Sequence, residues 1–265
     1  MDSVNVVETE ILDADLGIHV VYLNNPETRN SMTLEMGLAF ANTMQALASR
    51  DPLPRVVILT GRNQVFSSGG NFKLLKSFAD KTIKENQEFM ESFYRLFLSV
   101  RQMPFVVIAC VNGHAVGAAL ALALACDLRY FLPDGKYAFN FVKIAIHPGM
   151  GASFLVKEIA GMTQAQELLF TGRYIQGTEA MQRGLCHGVF GADEIFNRSV
   201  DLAKEIAQNA PLATRLLKKS LYTSTNLDQA LTKEAEAQAE NYASFDFQEA
   251  IASIEDKRTP RYVDK

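Results

Sequence analysis

Apolar and polar positions alternate along two short N-terminal stretches, 5–12 and 17–24, separated by Asp13-Ala14-Asp15-Leu16. A period of two on either side of a polar turn predicts a hairpin. Pro26-Glu27-Thr28-Arg29-Asn30 reads as a loop, and Leu34, Leu38, Met44 and Leu47 then recur at roughly helical spacing, predicting a helix over 33–49. Two later runs, Val56-Val57-Ile58-Leu59 and Phe105-Val106-Val107-Ile108-Ala109-Cys110-Val111, are apolar without interruption. Short, β-branched and closed by turn residues, they predict buried strands at 55–60 and 105–111. Between them, 73–101 is charged and largely helical, with 77–85 read as a mobile stretch.

Residues 116–125 are almost wholly Ala and Leu. A helix with no polar face must be buried on all sides, and its small residues permit close packing. Strands are expected at 128–132 and 137–141, and a helix at 152–160 after the turn His147-Pro148-Gly149-Met150-Gly151. This succession predicts an α/β fold with crossover connections. From Thr163 onward the pattern becomes mostly helical, at 163–170, 177–183, 193–209, 211–223 and 227–244. The expected division is a core over 1–195 and a helical region over 196–265.

Composition narrows the function. A chain of 265 residues with 48% hydrophobic content can bury a full core. Net charge is −4, and no cluster of Lys and Arg interleaved with aromatics would track a phosphate backbone, so nucleic acid is not an expected partner. Cys110, Cys126 and Cys186 have no metal or dithiol spacing and read as core thiols in a reducing compartment. The start of the chain has neither the charge nor the apolar stretch of a secretory signal, and 105–125 is interrupted by Asn112-Gly113-His114; a cytoplasmic protein without a membrane span is expected.

The candidate chemistry lies just after the two buried strands. Ser67-Ser68-Gly69-Gly70-Asn71 and Asn112-Gly113-His114-Ala115-Val116-Gly117-Ala118-Ala119 are glycine-rich turns that can present backbone N–H groups to one carbonyl. Two peptide donors converging on an oxygen form an oxyanion hole, which stabilises negative charge developing there.

These turns, together with Asn25-Pro26, Arg29-Asn30-Ser31-Met32, Cys126-Asp127-Leu128-Arg129, Pro148-Gly149-Met150-Gly151, Leu168-Leu169-Phe170-Thr171-Gly172 and Glu255-Asp256-Lys257-Arg258, resemble the crotonase superfamily of enoyl-CoA hydratases and isomerases. The order and spacing of the motifs carry the resemblance over nearly the whole chain. It implies a ββα spiral core, a C-terminal helical region used in trimerisation, and an acyl-thioester substrate. The handle is CoA or the phosphopantetheine of an acyl carrier protein, as part of the substrate and not as a separate cofactor. A homotrimer or a dimer of trimers is implied as well.

Carried across by position, the resemblance assigns the oxyanion-hole amides to Gly70 and Ala118, a CoA-phosphate contact to Lys73, and substrate contacts to Ser31, Met32 and Ser68. The positions of the two hydratase glutamates read Ala121 and Phe141, and the acid beside the third turn is replaced by Gly149. Neither Ala nor Phe transfers a proton, so hydration by a pair of glutamates is not expected. An apolar cavity facing a retained oxyanion hole suits decarboxylation or double-bond isomerisation, through an enolate. The text around 140–154 also resembles decarboxylases of polyketide β-branching, which use a lysine after the first turn; Lys84 or Lys81 is nearest here.

Other groups compete with simpler roles. His147 has the pKa range of a general acid or base, yet beside a Pro-Gly turn it can simply bond backbone. His114 is expected to point away from the carbonyl. Glu85, Glu88, Glu91 and Tyr94 lie on the segment after the first turn, which the resemblance implies borders the acyl pocket, on a helix whose charged face is normally solvated. Asp127 reads as a backbone contact at a helix end. No metal ligands have suitable spacing, and no nicotinamide fingerprint is present. Alternatives to the leading expectation are a hydratase or isomerase using a displaced acid, and a thioester-binding homologue without turnover.

Overall fold

The uninterrupted apolar runs become parallel strands because both of their faces are covered. The computed structural model describes residues 5–223 and 227–264. β1 (Val7–Asp13) and β2 (Ile18–Leu23) form the antiparallel hairpin. After a single 3-10 turn comes α1 (Leu34–Ala48), capped by the Thr33 side chain accepting from the Met36 amide. β3 (Val56–Gly61), α2 (Phe72–Lys76), α3 (Ile83–Leu98) and β4 (Val106–Val111) come after it. Next are β5 (Ala115–Val116), α4 (Ala118–Ala125), β6 (Leu128–Phe131), β7 (Tyr137–Ala138) and α5 (Ala152–Thr171). The chain continues through α6 (Gly177–Gln182), β8 (Gly188–Val189), α7 (Ile195–Ala207), α8 (Pro211–Thr223), α9 (Leu227–Tyr242) and α10 (Phe245–Glu255).

The main sheet runs β1-β2-β3-β4-β6-β8, parallel from β2 onward, and β5 pairs with β7 in a small second sheet. Alternate residues divide the strands between two cores. Val21, Leu23, Val57, Leu59, Val107 and Ala109 join the larger one, with residues of α1, α3, α4 and α5. Ile18, Val20, Val56, Ile58, Val106 and Ile108 pack on the other face against Ile195, Ala203 and Ala207 of α7. This is an α/β architecture with a helical C-terminal part, as the resemblance leads one to expect.

Three boundaries differ from the sequence expectation. The strand expected over 137–141 stops at Ala138 and gives way to a 3-10 turn over Asn140–Ile144, because its partner β5 is only two residues long and offers no ladder beyond. The helices expected at 152–160 and 163–170 join in α5, broken at Gly161, whose φ is +82°. β5, β8 and α10 have no counterpart in the sequence expectation; α10 begins at a Ser244 cap and carries buried Asp246, which accepts the amides of Val263 and Asp264 and folds the tail back.

Candidate active site

The first turn is positioned by a buried polar staple. Asn30, fully buried with φ +52°, donates to the carbonyls of Val65 (2.7 Å) and Phe66 (3.1 Å), accepts from the Asn25 amide, and offers its own carbonyl to Ser67 Oγ at 2.6 Å. A short amide side chain tolerates this left-handed backbone, and burial is acceptable only because its polar atoms are paired. Met32 donates to Gly69 O at 2.8 Å, which lays the chain beside Gly70.

The second turn is tied to the first. Asn112 Nδ2 donates to Gly61 O and its Oδ1 accepts from Gly61 N, while the Ser67 amide donates to His114 O. Gly69, at φ +86°, sits so close that a Cβ there would collide with the Val116 carbonyl and lie 3.6 Å from the Ala118 nitrogen. Only glycine fits both the backbone angle and the approach. Gly117, at φ +58°, reverses the chain so that α4 begins at Ala118.

Among the described residues, neither the Gly70 nor the Ala118 amide has an acceptor within the protein. The Ala118 amide is also the first of α4, where peptide dipoles concentrate positive potential. Two adjoining turns thus hold two uncommitted donors, one at a helix N-terminus.

The surroundings are mixed, with Asn140 Oδ1 3.3 Å from where a Cβ on Gly117 would stand and apolar groups beyond it. A Cβ on Gly117 would lie 3.7 Å from Phe141 Cζ, so this ring stands at the start of α4. The open space expected at Ala121 is closed: Ala121 has no accessible surface and Phe141 only 7%. Ala121 therefore backs the wall, and Phe141, on the 3-10 turn, forms it. Leu75 of α2 approaches Gly70 from the other side.

Other candidates separate clearly. Ser31 is buried and accepts from Asn71 Nδ2 at 2.9 Å, and Met32 is fully buried; both support the first turn from beneath. Ser68 is exposed, with its amide on Arg29 O, and Lys73 is exposed in the first turn of α2, which Asn71 caps. Lys84 stands in solvent, 85% exposed beside Glu88, and Lys81 lies over the rings of Phe78 and Phe89. His147 is exposed, and its Nδ1 donates to the neighbouring Pro148 carbonyl. His114 Nδ1 accepts from the Lys136 amide instead of facing the turns. Glu85 closes a capping box with Thr82, and Glu91 pairs with Arg95.

Asp127 does more than the backbone contact expected of it. Besides the Val107 amide it accepts from Lys218 Nζ (2.7 Å) and Tyr222 Oη (2.8 Å), docking α8 beside the end of α4. Burial pushes the Cys126 thiol up to about 12 and the Cys186 thiol up to about 11, so both stay protonated. No described helix is long and apolar enough to cross a membrane.

Residues 13–265 match the Enoyl-CoA hydratase/isomerase family. A Thermus thermophilus protein provisionally named an enoyl-CoA hydratase is 34% identical over 247 residues, 92% of this chain and 97% of that protein. The crotonyl-CoA hydratase of Syntrophomonas wolfei is 28% identical, covering 97% of this chain and 99% of its own. The crystal structure of an enoyl-CoA hydratase from Bacillus anthracis superposes with a TM-score of 0.90 at 28% identity, over 98% of this chain and 100% of that one. With the paired glycine turns, the two-faced sheet and a match over nearly its full length, the chain belongs to the enoyl-CoA hydratase/isomerase family.

Proposed function

We propose that the protein binds an acyl thioester with its carbonyl oxygen between the amides of Gly70 and Ala118, and turns it over through an enolate. The observation that carries this reading is the pair of uncommitted amides on adjoining turns, one of them the first of α4. Charge moving onto the thioester oxygen meets fixed donors in a water-poor setting, where such donors need no reorganisation. Curated relatives named as CoA-ester hydratases support a CoA thioester as the substrate class; a carrier-bound thioester presents the same carbonyl.

The reaction favoured is decarboxylation or double-bond isomerisation. Where the resemblance expects two glutamates the chain has Ala121 and Phe141, both buried and neither able to move a proton. Loss of CO2 from a β-carboxylated thioester needs no protein base: the C–C bond breaks, its electron pair enters the enolate, and CO2 leaves. An apolar wall at Phe141 favours departure of the carboxylate as a neutral gas. Hydration by a displaced acid gains little support, since His147 and Glu91 are exposed and already paired.

The C-terminal helices support association of identical subunits. Leu217, Leu221, Leu231 and Ile254 are exposed on α8, α9 and α10, an apolar surface of the kind that subunit contacts cover. Sedimentation at micromolar concentration is expected to give a trimer or a hexamer.

The decisive assay offers crotonyl-CoA, malonyl-CoA and 3-methylglutaconyl-CoA in parallel. CO2 release from either carboxylated ester is the expected result. Water addition to crotonyl-CoA with no CO2 from the others overturns the decarboxylase reading, and binding without turnover of any ester overturns the enzymatic one.

A further inference from the structure

One hydroxyl stands out in the apolar lining of this region. On α3, Met90, Tyr94 and Leu98 recur every fourth residue, each partly buried against the main core. This face crosses the third turn: Leu98 Cδ1 is 3.7 Å from where a Cβ on Gly151 would stand. Tyr94 fits more tightly still. A Cβ on Gly149 would fall against its Oη and 2.9 Å from Cζ, so the phenol fills the space that a side chain at position 149 would take. Gly149 is buried, and the segment leading to it returns to the turn that carries Phe141, where the Ile146 amide donates to Phe141 O.

The Tyr94 hydroxyl has no hydrogen-bond partner among the described residues, nor is it sealed from the outside as Asn86 Oδ1 and the Arg129 Nε and Nη1 atoms are. A partly buried phenol normally finds an acceptor, and one left open is available to a ligand. Sequence position alone makes residue 149 an absent acid. The fold brings a different residue to that spot, from a helix 55 positions earlier in the chain.

We infer that Tyr94 is the catalytic proton donor of this site, delivering its hydroxyl proton to the carbon of the enolate held by Gly70 and Ala118. The inference rests on the enolate reading above and assigns its missing acid. Once CO2 has left, the enolate C=C electron pair takes the Tyr94 proton, the thioester C=O re-forms, and the phenolate regains a proton from water. Burial raises the phenol further above its ordinary value, so at neutral pH it is an acid and not a base. An acid without a base suits an enolate made by decarboxylation, because isomerisation must first remove a proton.

The test runs 2-methylmalonyl-CoA turnover in D2O, where deuteration of the enolate makes C2 of the propionyl product a stereocentre, with the wild type, Tyr94→Phe and Gly149→Ala, following CO2 and the deuterium in the product. The wild type is expected to place one deuterium stereospecifically. Tyr94→Phe, which removes only the oxygen, is expected to keep its melting temperature and KM, lose about 10²-fold in kcat, and scatter the deuterium over both faces. Gly149→Ala displaces the phenol and is expected to fall as far, with no further loss in the double variant. Stereospecific deuteration at wild-type rate by Tyr94→Phe overturns the role of Tyr94 and leaves the enolate reading intact. A wild type that releases no CO2 from any carboxylated ester overturns the decarboxylase reading and the role of Tyr94 with it.

Discussion

Two alanine-rich helices in this chain behave in opposite ways. α4 (AALALALA) is buried at every position, whereas α9 (LDQALTKEAEAQAENY) buries none of its described residues. Helix propensity is similar in both, so propensity does not decide their placement. What differs is the polar face. With none, α4 is driven between the sheet and α5 and fixes the amide of Ala118 in a closed setting. With charges at most turns, α9 stays outside on α8, with Leu231 more than half exposed.

The contrast can be broken at the joint between the two regions. Asp127→Ala leaves Lys218 buried without its counter-charge beside the end of α4, and is expected to cost about 3–5 kcal/mol in urea unfolding, with early loss of α8. Gly69→Ala forces a side chain against Val116 O next to the Ala118 amide; a loss of about 10²–10³ in kcat is expected, with KM changed less. Asn30→Ala strips the staple under the first turn and strands the Val65 and Phe66 carbonyls, costing about 1–3 kcal/mol. By contrast Leu231→Ala on α9 is expected to move the unfolding of the single chain by no more than about 0.5 kcal/mol while weakening subunit association in a dilution series; unchanged association would remove Leu231 from the subunit contact.

The smallest effect is a pH dependence near the C-terminus. Hydrogen bonds from Arg258, then the Arg261 amide, hold Glu249 down at about 2 against an ordinary 4.5. A carboxylate depressed by folding stabilises the native state above its unfolded value and loses that contribution as pH falls through the folded one. The melting temperature of the wild type should therefore exceed that of Glu249→Gln at neutral pH, and the gap should close between about pH 4.5 and pH 2.

Much of the scaffold is readable because it depends on neighbours in sequence. The hairpin, the strands at β3 and β4, and the burial of α4 follow from local periodicity, and both glycine turns follow from the ends of those strands. α10 escapes such a reading because its Phe245-Asp246-Phe247 start mixes a buried carboxylate with exposed aromatics, a pattern explained only by the tail amides that Asp246 accepts. β8 escapes because two residues carry no period.

The candidate site divides along the same line. Gly70 and Ala118 are legible, since a turn presents its own amides. The roles considered for Lys84 and His147 rest on type and position, whereas their exposure and partners are set by packing. Tyr94 is one of four polar residues on a charged helix, and nothing local distinguishes it from Glu91; its approach to Gly149 joins segments 55 residues apart.

By itself, the sequence determined which strands are buried, where the chain must turn, and that acids are absent at 121, 141 and 149, because these are properties of residue type and short-range order. Only the tertiary structure decided that Ala121 has no open space before it, that Asp127 clamps α8, and that a phenol stands where position 149 has no side chain. Those outcomes depend on how distant segments share volume, and close packing is a condition on the whole molecule that no local window contains.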